Sequence, residues 1–367
     1  MVKITDSLIK VLNFIWKKEK TYLMEISKET GLEKSTVSRS LNKLKNLNLI
    51  KKVDELSASP LGGRKTSIYS FNFSIGYILG ISIEQDGLEF VLTDLQGIII
   101  FSKRKNIKID KNNIVNEIIS IYSQFDDYKI LSVGISLPGI INSSNGIIVY
   151  SKALNIENLD LSTALEKEID VPVFIENDSN CGAIFFNLKY KDKSHNILYF
   201  HISIPYFATD HVGLGIGIVI KNKLYHGSNN CAGEVEFKIP LINTNENISF
   251  TSILNEDIDT LINNSRDFIN IYSKKLGDYI SIFDPDNIII GGNITLLNEK
   301  FLNIFIEEIK KNIFIPNIRK LHINHISPED YLTSRGAVSI VLHKMFSNKR
   351  GTEHFLKIYL MKRGDIK

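Results

Sequence analysis

Cysteine is scarce in this sequence: a chain of 367 residues contains only Cys181 and Cys231. The two form neither a Cys-x-x-Cys pair nor a cluster with histidine, so their spacing indicates neither a disulfide framework nor a zinc site. We expect each cysteine to behave as a small buried apolar residue.

Long apolar runs are missing as well. No stretch approaches the roughly 20 apolar residues that a helix needs to cross a bilayer, and the first five residues are not followed by the apolar segment of a secretory signal. We therefore expect a cytoplasmic protein without a membrane partner. At roughly 100–200 residues per domain, the length predicts two or three units.

Basic charge is unevenly distributed along the chain. Residues 1–70 hold 14 of the 44 Lys and Arg residues but only 7 of the 41 Asp and Glu residues, so the remainder is slightly acidic. A basic segment in front of a mildly acidic body is typical of a polyanion-binding head joined to a unit with another task.

The basic segment has the periodicity of a helix-turn-helix. Apolar residues recur at helical spacing over residues 6–18, 22–30 and 32–44, and Gly31 is well placed to end the second helix. The third helix exposes groups that can bond phosphates and base edges, which makes it the predicted recognition helix. Its predicted DNA contacts are Lys34, Ser35, Thr36, Ser38, Arg39 and Asn42.

Two predicted strands, at residues 49–53 and 67–71, complete a winged helix-turn-helix over residues 1–72. The loop between them carries Arg64 and Lys65 in a flexible cationic tip, which suits phosphates or a narrow minor groove. We therefore predict a double-stranded DNA operator as a partner. The alternative interpretation is a basic three-helix module that binds another protein.

From Tyr77 onward the pattern is α/β. Antiparallel strands followed by βαβ units occur twice, which predicts two lobes, residues 73–192 and 193–327, with a ligand cleft between them. Residues 328–347 are predicted to return to the first lobe as a helix. The basic tail, residues 348–367, is expected to place a last helix on that same lobe.

Glycines mark one strand of the second lobe. Gly213, Gly215 and Gly217 lead into the apolar residues 218–220. Backbone without side chains can bring amide N–H groups to a phosphate, or it can let neighbouring elements pack closely. The spacing alone leaves both interpretations open.

Five segments of the body occur in a fixed order. They are Gly134-x-x-x-Pro138-Gly139, Glu176-Asn177-Asp178-x-Asn180, the hairpin 213–227, Ala232-Gly233-Glu234, and Asp284-Pro285-Asp286-x-Ile288-x-Ile290-Gly291-Gly292. In this order they resemble the ROK family, named for repressors, open reading frames and kinases. The family comprises sugar kinases with a two-lobed, actin-like (ribonuclease H-like) fold, and transcription regulators that carry such a body behind a winged helix. The resemblance implies this fold for nearly the whole chain.

The first strand of the body departs from the family's kinases, which end it in an aspartate followed by Gly-Gly-Thr for the phosphates and metal of ATP. The corresponding residues here are Ser82, Ile83, Glu84, Gln85 and Asp86. A missing metal ligand, together with added bulk and negative charge, predicts a non-catalytic body that binds no ATP. In the later hairpin, His211 and Ile216 stand where the family has glycines.

The family's sugar site is partly kept. The positions that the resemblance assigns to sugar hydroxyls are Asn155, Asn177, Asp178 and Glu234. In a kinase the aspartate would deprotonate the acceptor hydroxyl, whereas without a phosphoryl donor it would only hydrogen-bond. The family's zinc loop is missing, since residues 238–251 contain no cysteine, and we expect no zinc. The alternative is that the four residues are a structural remnant, with His226 and Glu236 at the surface.

These features predict a DNA-binding transcription regulator, a repressor of carbohydrate metabolism genes, whose body senses a sugar or sugar phosphate. Because two half-sites multiply the modest affinity of one winged helix, we expect a homodimer or a dimer of dimers. Two alternatives stay open: an active sugar kinase with an appended DNA-binding head, and a regulator controlled by a protein partner.

Overall fold

The computed structural model describes residues 4–56, 65–84, 87–189, 196–244, 246–327 and 333–364. Its first unit is a winged helix-turn-helix with an antiparallel sheet of order β1-β3-β2. The elements of this unit are α1 (Asp6–Lys18), β1 (Thr21–Tyr22), α2 (Leu23–Thr30), α3 (Lys34–Asn46), β2 (Ile50–Leu56) and β3 (Thr66–Phe71).

The turn between α2 and α3 has the predicted glycine ending. Gly31 adopts a φ of 68°, and its N–H donates to the carbonyl of Ser27 at 3.0 Å. Because Gly31 has a left-handed conformation, its N–H can bond a free carbonyl at the end of α2 while the chain turns into α3. The inner face of α3 then buries Val37, Leu41 and Leu44, which leaves its polar face outward.

The first lobe is built on a five-stranded sheet of order β11-β7-β4-β5-β6. Strands β11, β7 and β4 are parallel, while β4, β5 and β6 are antiparallel. A separate antiparallel sheet, β10-β9-β8, extends from this lobe. The elements are β4 (Tyr77–Glu84), β5 (Gly87–Asp94), β6 (Ile99–Lys105), α4 (Ile114–Tyr122), β7 (Ile130–Leu137), β8 (Ile140–Asn142), β9 (Ile147–Ser151), β10 (Ile156–Asp160), α5 (Leu161–Leu165), β11 (Val173–Asn177) and α6 (Asp178–Lys189).

The second lobe has a related mixed sheet of order β14-β13-β12-β16-β17, with β15 also paired to β13. Strands β12, β16 and β17 are parallel, and β12 and β13 form an antiparallel hairpin. This repeat of the first lobe's arrangement gives the predicted two-lobed, actin-like body. The elements are β12 (Ile197–Ser203), β13 (Gly213–Ile220), β14 (Lys223–Leu224), β15 (Glu234–Val235), α7 (Phe250–Ile253), α8 (Ile258–Asn264), α9 (Arg266–Phe283), β16 (Asn287–Gly291), α10 (Glu299–Lys311) and β17 (His322–His325).

Helix α11 (Thr333–Phe346) lies directly on the first lobe's sheet. A Cβ at Gly80 would come within 2.5 Å of the carbonyl oxygen of Ser334, and one at Gly134 within 2.2 Å of that of Ala337. The two strands therefore need glycine at these positions, because any side chain would push the helix away. The helix returns to the first lobe, as the sequence predicts.

The last helix, α12 (Lys349–Arg363), packs against the winged-helix unit. Its buried Phe355 and Tyr359 join the same apolar core as the residues of α1, and the Tyr359 hydroxyl donates to the carbonyl of Leu47 at 2.8 Å. The expectation of a final helix on the first lobe is thus corrected in part, because the helix contacts both units. On the first lobe, Lys129 lies 4.4 Å from the ring centre of Tyr359, and Lys362 pairs with Asp170 at 2.5 Å.

Among the helices in the described ranges, none combines the length and apolar character needed to span a membrane.

Candidate functional site

The predicted recognition face is open to solvent. Lys34, Ser35, Arg39 and Asn42 are exposed, and Thr36 and Ser38 are partly exposed. The Arg39 guanidinium donates to the Thr36 hydroxyl at 3.3 Å and to the carbonyl of Ser35 at 3.4 Å. These long, solvent-exposed bonds hold the side chain along the helix surface and are weak enough to be exchanged for a ligand's bonds.

The wing places one predicted contact at the surface. Lys65 is exposed and lies 3.8 Å from a carboxylate oxygen of Glu55, whose other oxygen pairs with Lys52. The hydrogen bond and charge of Lys52 lower the pKa of Glu55, with a smaller contribution from Lys65. Arg64 lies outside the described residues.

Asn177 ties the two lobes together at the cleft. Its side-chain oxygen accepts from the backbone N–H groups of Ser179 at 2.9 Å and Asn180 at 3.2 Å, which caps the start of α6. Its side-chain nitrogen donates to the carbonyl of Gly139 at 3.0 Å and to Glu234 at 3.1 Å. One amide therefore orients the helix in the first lobe and reaches an acid of the second.

Two carboxylates and a histidine face one another next to this amide. Asp178 accepts from the backbone N–H of Ser179 at 2.7 Å, and its other oxygen lies 3.9 Å from Nε2 of His201. The Glu234 residue is exposed, but its carboxylate is bonded to Asn177 and has lost part of its hydration between the lobes. This loss of hydration raises the pKa of Glu234 to about 7, and the charge of Asp178 adds to the shift.

His201 is a site residue that the sequence did not reveal. It lies on β12, a strand that is otherwise apolar, and its side chain is almost fully buried beside Asp178. Its register places it opposite Gly215 and Gly291 on the neighbouring strands. The only signal in the sequence was one histidine within a mostly apolar strand. Such a residue does not identify a site until the neighbouring strands are known.

Four residues join the lobes in a second contact beneath the cleft. The fully buried carboxylate of Glu176 accepts from the backbone N–H of Asn177 and the side chain of Asn180, each at 3.0 Å. Its other oxygen lies 2.9 Å from Nε2 of His226, which arrives from the second lobe. His226 is therefore partly exposed but bonded at the junction of the lobes, so its predicted surface placement holds only in part, whereas Glu236 is exposed as predicted.

Asn155 stands apart from the other predicted sugar ligands. It occupies an exposed turn between β9 and β10 with a φ of 52°, where its N–H donates to the carbonyl of Lys152. Within the described ranges, no hydrogen bond links its side chain to Asn177, Asp178 or Glu234. The structure thus gathers three of the four predicted residues and adds His201.

The glycines of β13 serve close packing. A Cβ at Gly215 would lie 2.2 Å from the Ser179 hydroxyl, and one at Gly217 would lie 2.1 Å from the Ser179 carbonyl. Both glycines let the second lobe's hairpin approach the first turn of α6, where Asp178 and Ser179 lie. Of the two interpretations of the glycine run, the geometry favours packing.

The end of β4 is occupied by side-chain contacts. Ser82 is buried, and Glu84 pairs with Arg104 at 3.1 Å while accepting from the Thr333 hydroxyl at 3.2 Å. These bonds fix the Glu84 side chain at the strand end. Gln85 and Asp86 lie outside the described residues.

A reciprocal pair of hydrogen bonds fixes the connector that follows β12. The backbone N–H of Ile204 donates to the side chain of Asn293 at 2.7 Å, and Asn293 donates back to the carbonyl of Ile204 at 2.7 Å. This reciprocal pair fixes the connector between β12 and β13, residues 204–212, against the segment after Gly291-Gly292. The connector includes His211, which forms an isolated bridge with Pro240.

Metal-ligating side chains do not cluster in the part of the chain that the structure describes, where no group of three or more His, Cys, Asp or Glu residues could hold an ion. Cys181 is buried, but Cys231 is exposed, so the expectation that both cysteines are buried is wrong for Cys231. The absence of a zinc site stays a prediction.

Two known protein families match separate parts of the chain. The sequence profile of the ROK family matches residues 78–238, and that of the arsR family of bacterial regulatory proteins matches residues 9–52. The chain carries a ROK-family domain behind an arsR-type helix-turn-helix.

Several curated proteins resemble this chain. The xylose repressor of Bacillus spizizenii is 34% identical over 219 residues, which cover 58% of this chain and 54% of the repressor. The xylose repressor of Bacillus subtilis is 28% identical over 329 residues, covering 79% of this chain and 83% of the repressor. The regulator NagC of Escherichia coli is 23% identical over 222 residues, 58% of this chain and 52% of NagC.

Solved structures show the same ROK fold. A ROK family transcriptional regulator, a homologue of the E. coli Mlc protein, superposes with a TM-score of 0.73 at 18% identity and covers 97% of both chains. A ROK family glucokinase from Streptomyces griseus, in complex with glucose and AMPPNP, has a TM-score of 0.60 at 17% identity. That superposition covers 97% of the glucokinase but only 72% of this chain.

Proposed function

We propose that this protein is a sugar-responsive, DNA-binding transcriptional repressor with a non-catalytic ROK body. The observation that carries the proposal is the path of α11. The helix begins against the first turns of α6, where Gly336 contacts Cys181, and it ends beside the winged helix, where Phe346 stacks on Trp16 at 4.6 Å. One rigid element therefore touches both the cleft lobe and the DNA-binding unit.

The cleft suits a polyhydroxylated ligand. Asn177 offers an amide donor, Asp178 and Glu234 offer carboxylate acceptors, and His201 offers a ring nitrogen, all within one small region. Each hydroxyl of a buried sugar needs such a partner. The relatives of this chain include proteins named xylose repressor and N-acetylglucosamine repressor, so a pentose and an amino sugar are the first ligands to test.

Three features support a body that does not transfer phosphate. Ser82 cannot supply the carboxylate that a magnesium ion prefers, and the Glu84 side chain, held by Arg104 and Thr333, occupies the strand end where the family's kinases have glycine. The Asn293 pair holds the Ile204 connector against the other strand end. We propose that the protein needs neither ATP nor zinc.

The proposed DNA interface comprises the α3 face and Lys65, with Arg64 beside it in the sequence. Paired winged helices in a homodimer would contact two half-sites of one operator in the cytoplasm, and closure of the lobes around a sugar would change their spacing. The regulated genes would be those for using that sugar.

A thermal-shift experiment tests this proposal. The purified protein is heated with xylose, N-acetylglucosamine, glucose or ATP–Mg²⁺, alongside the variant Asp178→Asn. We expect one sugar to raise the melting temperature of the wild type, the variant to lose that rise, and ATP to have no effect. Stabilisation by ATP, together with turnover of a sugar, would favour a kinase. An unchanged melting temperature with every sugar would favour control by a protein partner.

A further inference from the structure

A cavity of about 470 Å³ lies at the junction of the winged helix and both lobes, away from the cleft. Its walls come from α1, the turn after β5, the end of α6, β17 and one face of α11. None of the cleft residues lines it. Its volume falls within the range of small-molecule sites in proteins, roughly 300–1,000 Å³.

Cationic groups dominate the charge of this junction cavity. Lys189 and Arg335 line it, with the His325 ring beside them, against one acid among the described lining residues, the exposed Glu19. Lys189 ends α6, and the Arg335 guanidinium lies 4.8 Å from the ring centre of Phe185. The stacking keeps the guanidinium plane in place, and a fixed planar fork of N–H donors matches the oxygens of a phosphate.

A buried hydroxyl in the same wall has no partner. Thr93 is 1% exposed, lines the cavity, and makes no side-chain hydrogen bond within the described part of the chain. It sits where the pairing of β5 and β6 shifts register, directly after Leu92. A buried polar atom without a partner destabilises a fold, so a ligand that bonds this hydroxyl from the cavity would remove that cost.

The remaining lining suits the body of a sugar. Trp16 and Phe185 offer aromatic surface, while Gln96 and Ser327 offer polar side chains at the rim. We propose that this cavity is a second effector site, which binds a small phosphorylated sugar. Its occupant would contact α1 of the winged helix and both lobes at once, so it would restrain the DNA-binding unit independently of the cleft.

The single tryptophan of the chain gives a direct probe, because Trp16 lines this cavity. The full-length protein is titrated with ribose 5-phosphate and glucose 6-phosphate while Trp16 emission is followed, with glucose and citrate as comparators. We expect a saturable change with at least one sugar phosphate, and none with glucose or citrate.

Three variants locate the binding. Arg335→Met and Lys189→Met should each lower the affinity for the sugar phosphate by about tenfold or more. Thr93→Val should lower it by about fivefold, because hydrogen bonds between charged groups are stronger than those of a neutral hydroxyl. The exposed Lys189 is not needed for folding, so its variant remains informative if Arg335→Met is unstable. Circular dichroism checks the fold of all three.

Two controls separate this site from others. Arg350→Met removes an exposed arginine far along the sequence on α12, and Glu234→Gln alters the cleft; neither should change the affinity for the sugar phosphate. The proposal is overturned by an absence of any saturable response at millimolar sugar phosphate, or by unchanged affinity in both Arg335→Met and Lys189→Met. Equal binding of citrate would overturn the phosphate assignment, and loss of binding in Glu234→Gln would assign the ligand to the cleft.

Discussion

The side-chain nitrogen of Asn177 donates to Oε1 of Glu234 at 3.1 Å, and this bond joins the end of a first-lobe strand to the second lobe. The same Asn177 caps α6, which begins with Asp178. A ligand hydroxyl that replaces one partner of this bond changes the contact between the lobes. Under the proposed function, this contact is where sugar binding would change the relation between the lobes.

The pKa of Glu234 predicts a pH dependence of stability. Burial raises this pKa to about 7, above its ordinary value of 4.5, so the folded chain holds the proton more tightly than the unfolded chain. The resulting stabilisation is complete below about pH 4.5 and is lost as the pH rises through about 7. The effect is small because one edge of the side chain remains in water.

The variant Glu234→Gln should remove this dependence. We expect the difference in melting temperature between wild type and variant to change between pH 5 and pH 8, in favour of the wild type at the acidic end. The matched control is Glu236→Gln, an exposed glutamate two residues away, which should give a constant difference. A flat difference for Glu234→Gln as well would show that its carboxylate is not perturbed.

His226 is predicted to stabilise the junction of the lobes. Replacement by alanine removes one of three donors from the fully buried Glu176 carboxylate, and an unsatisfied buried acceptor costs about 1–3 kcal/mol. Urea unfolding of His226→Ala should show this loss, whereas His322→Ala, at an exposed position on β17, should change the free energy of unfolding little. Equal stability of both variants would mean that the Glu176–His226 contact contributes nothing.

Much of this arrangement follows from local sequence, because it depends on periodicity and turns. The polar face of α3 follows from the helical spacing of Val37, Leu41 and Leu44, and Gly31 marks the turn before it. The strand end at Asn177 and Asp178 was equally readable, since polar residues there interrupt an apolar run. These predictions need only neighbours within one element.

Contacts between distant segments could not be predicted in this way. His226 and Glu176 are 50 residues apart and meet only when the lobes assemble. An amphipathic helix such as α12 shows which face it buries, but its pattern does not name the partner, so the winged-helix core was missed as its partner. The short strands β8, β9 and β10 were missed because each has only three to five residues, too few to show a period of two.

Helix α12 is predicted to be required for a stable winged helix. Phe355 is fully buried between Phe346 and Phe71, with ring centres 4.9 Å and 6.4 Å away. Truncation of a buried Phe costs about 3–5 kcal/mol, so Phe355→Ala should lower the urea midpoint reported by Trp16 emission and weaken operator binding. Met361→Ala, at a position 56% exposed on the same helix, is the control. Wild-type unfolding in both variants would contradict this role.

The recognition face predicts two different effects on DNA binding. Arg39→Ala should relax base discrimination by about 1–3 kcal/mol at one operator position, because an arginine reads a guanine edge. Lys65→Ala should instead weaken binding to all sequences. It should also reduce the slope of log affinity against log salt concentration by about the amount expected for one phosphate contact. Competition assays with mutated operators at several salt concentrations distinguish the two. An Arg39→Ala protein with unchanged sequence preference would remove α3 from the interface.

The most direct test measures DNA affinity as a function of sugar. Fluorescence anisotropy would follow purified protein binding to DNA fragments from upstream of sugar-utilisation genes, with each sugar of the thermal-shift panel added in turn. We predict specific binding to one fragment and a change of at least about tenfold in its affinity with one sugar, a coupling of about 1.4 kcal/mol. Absence of any specific fragment, or an affinity that no sugar changes, would contradict a sugar-responsive repressor.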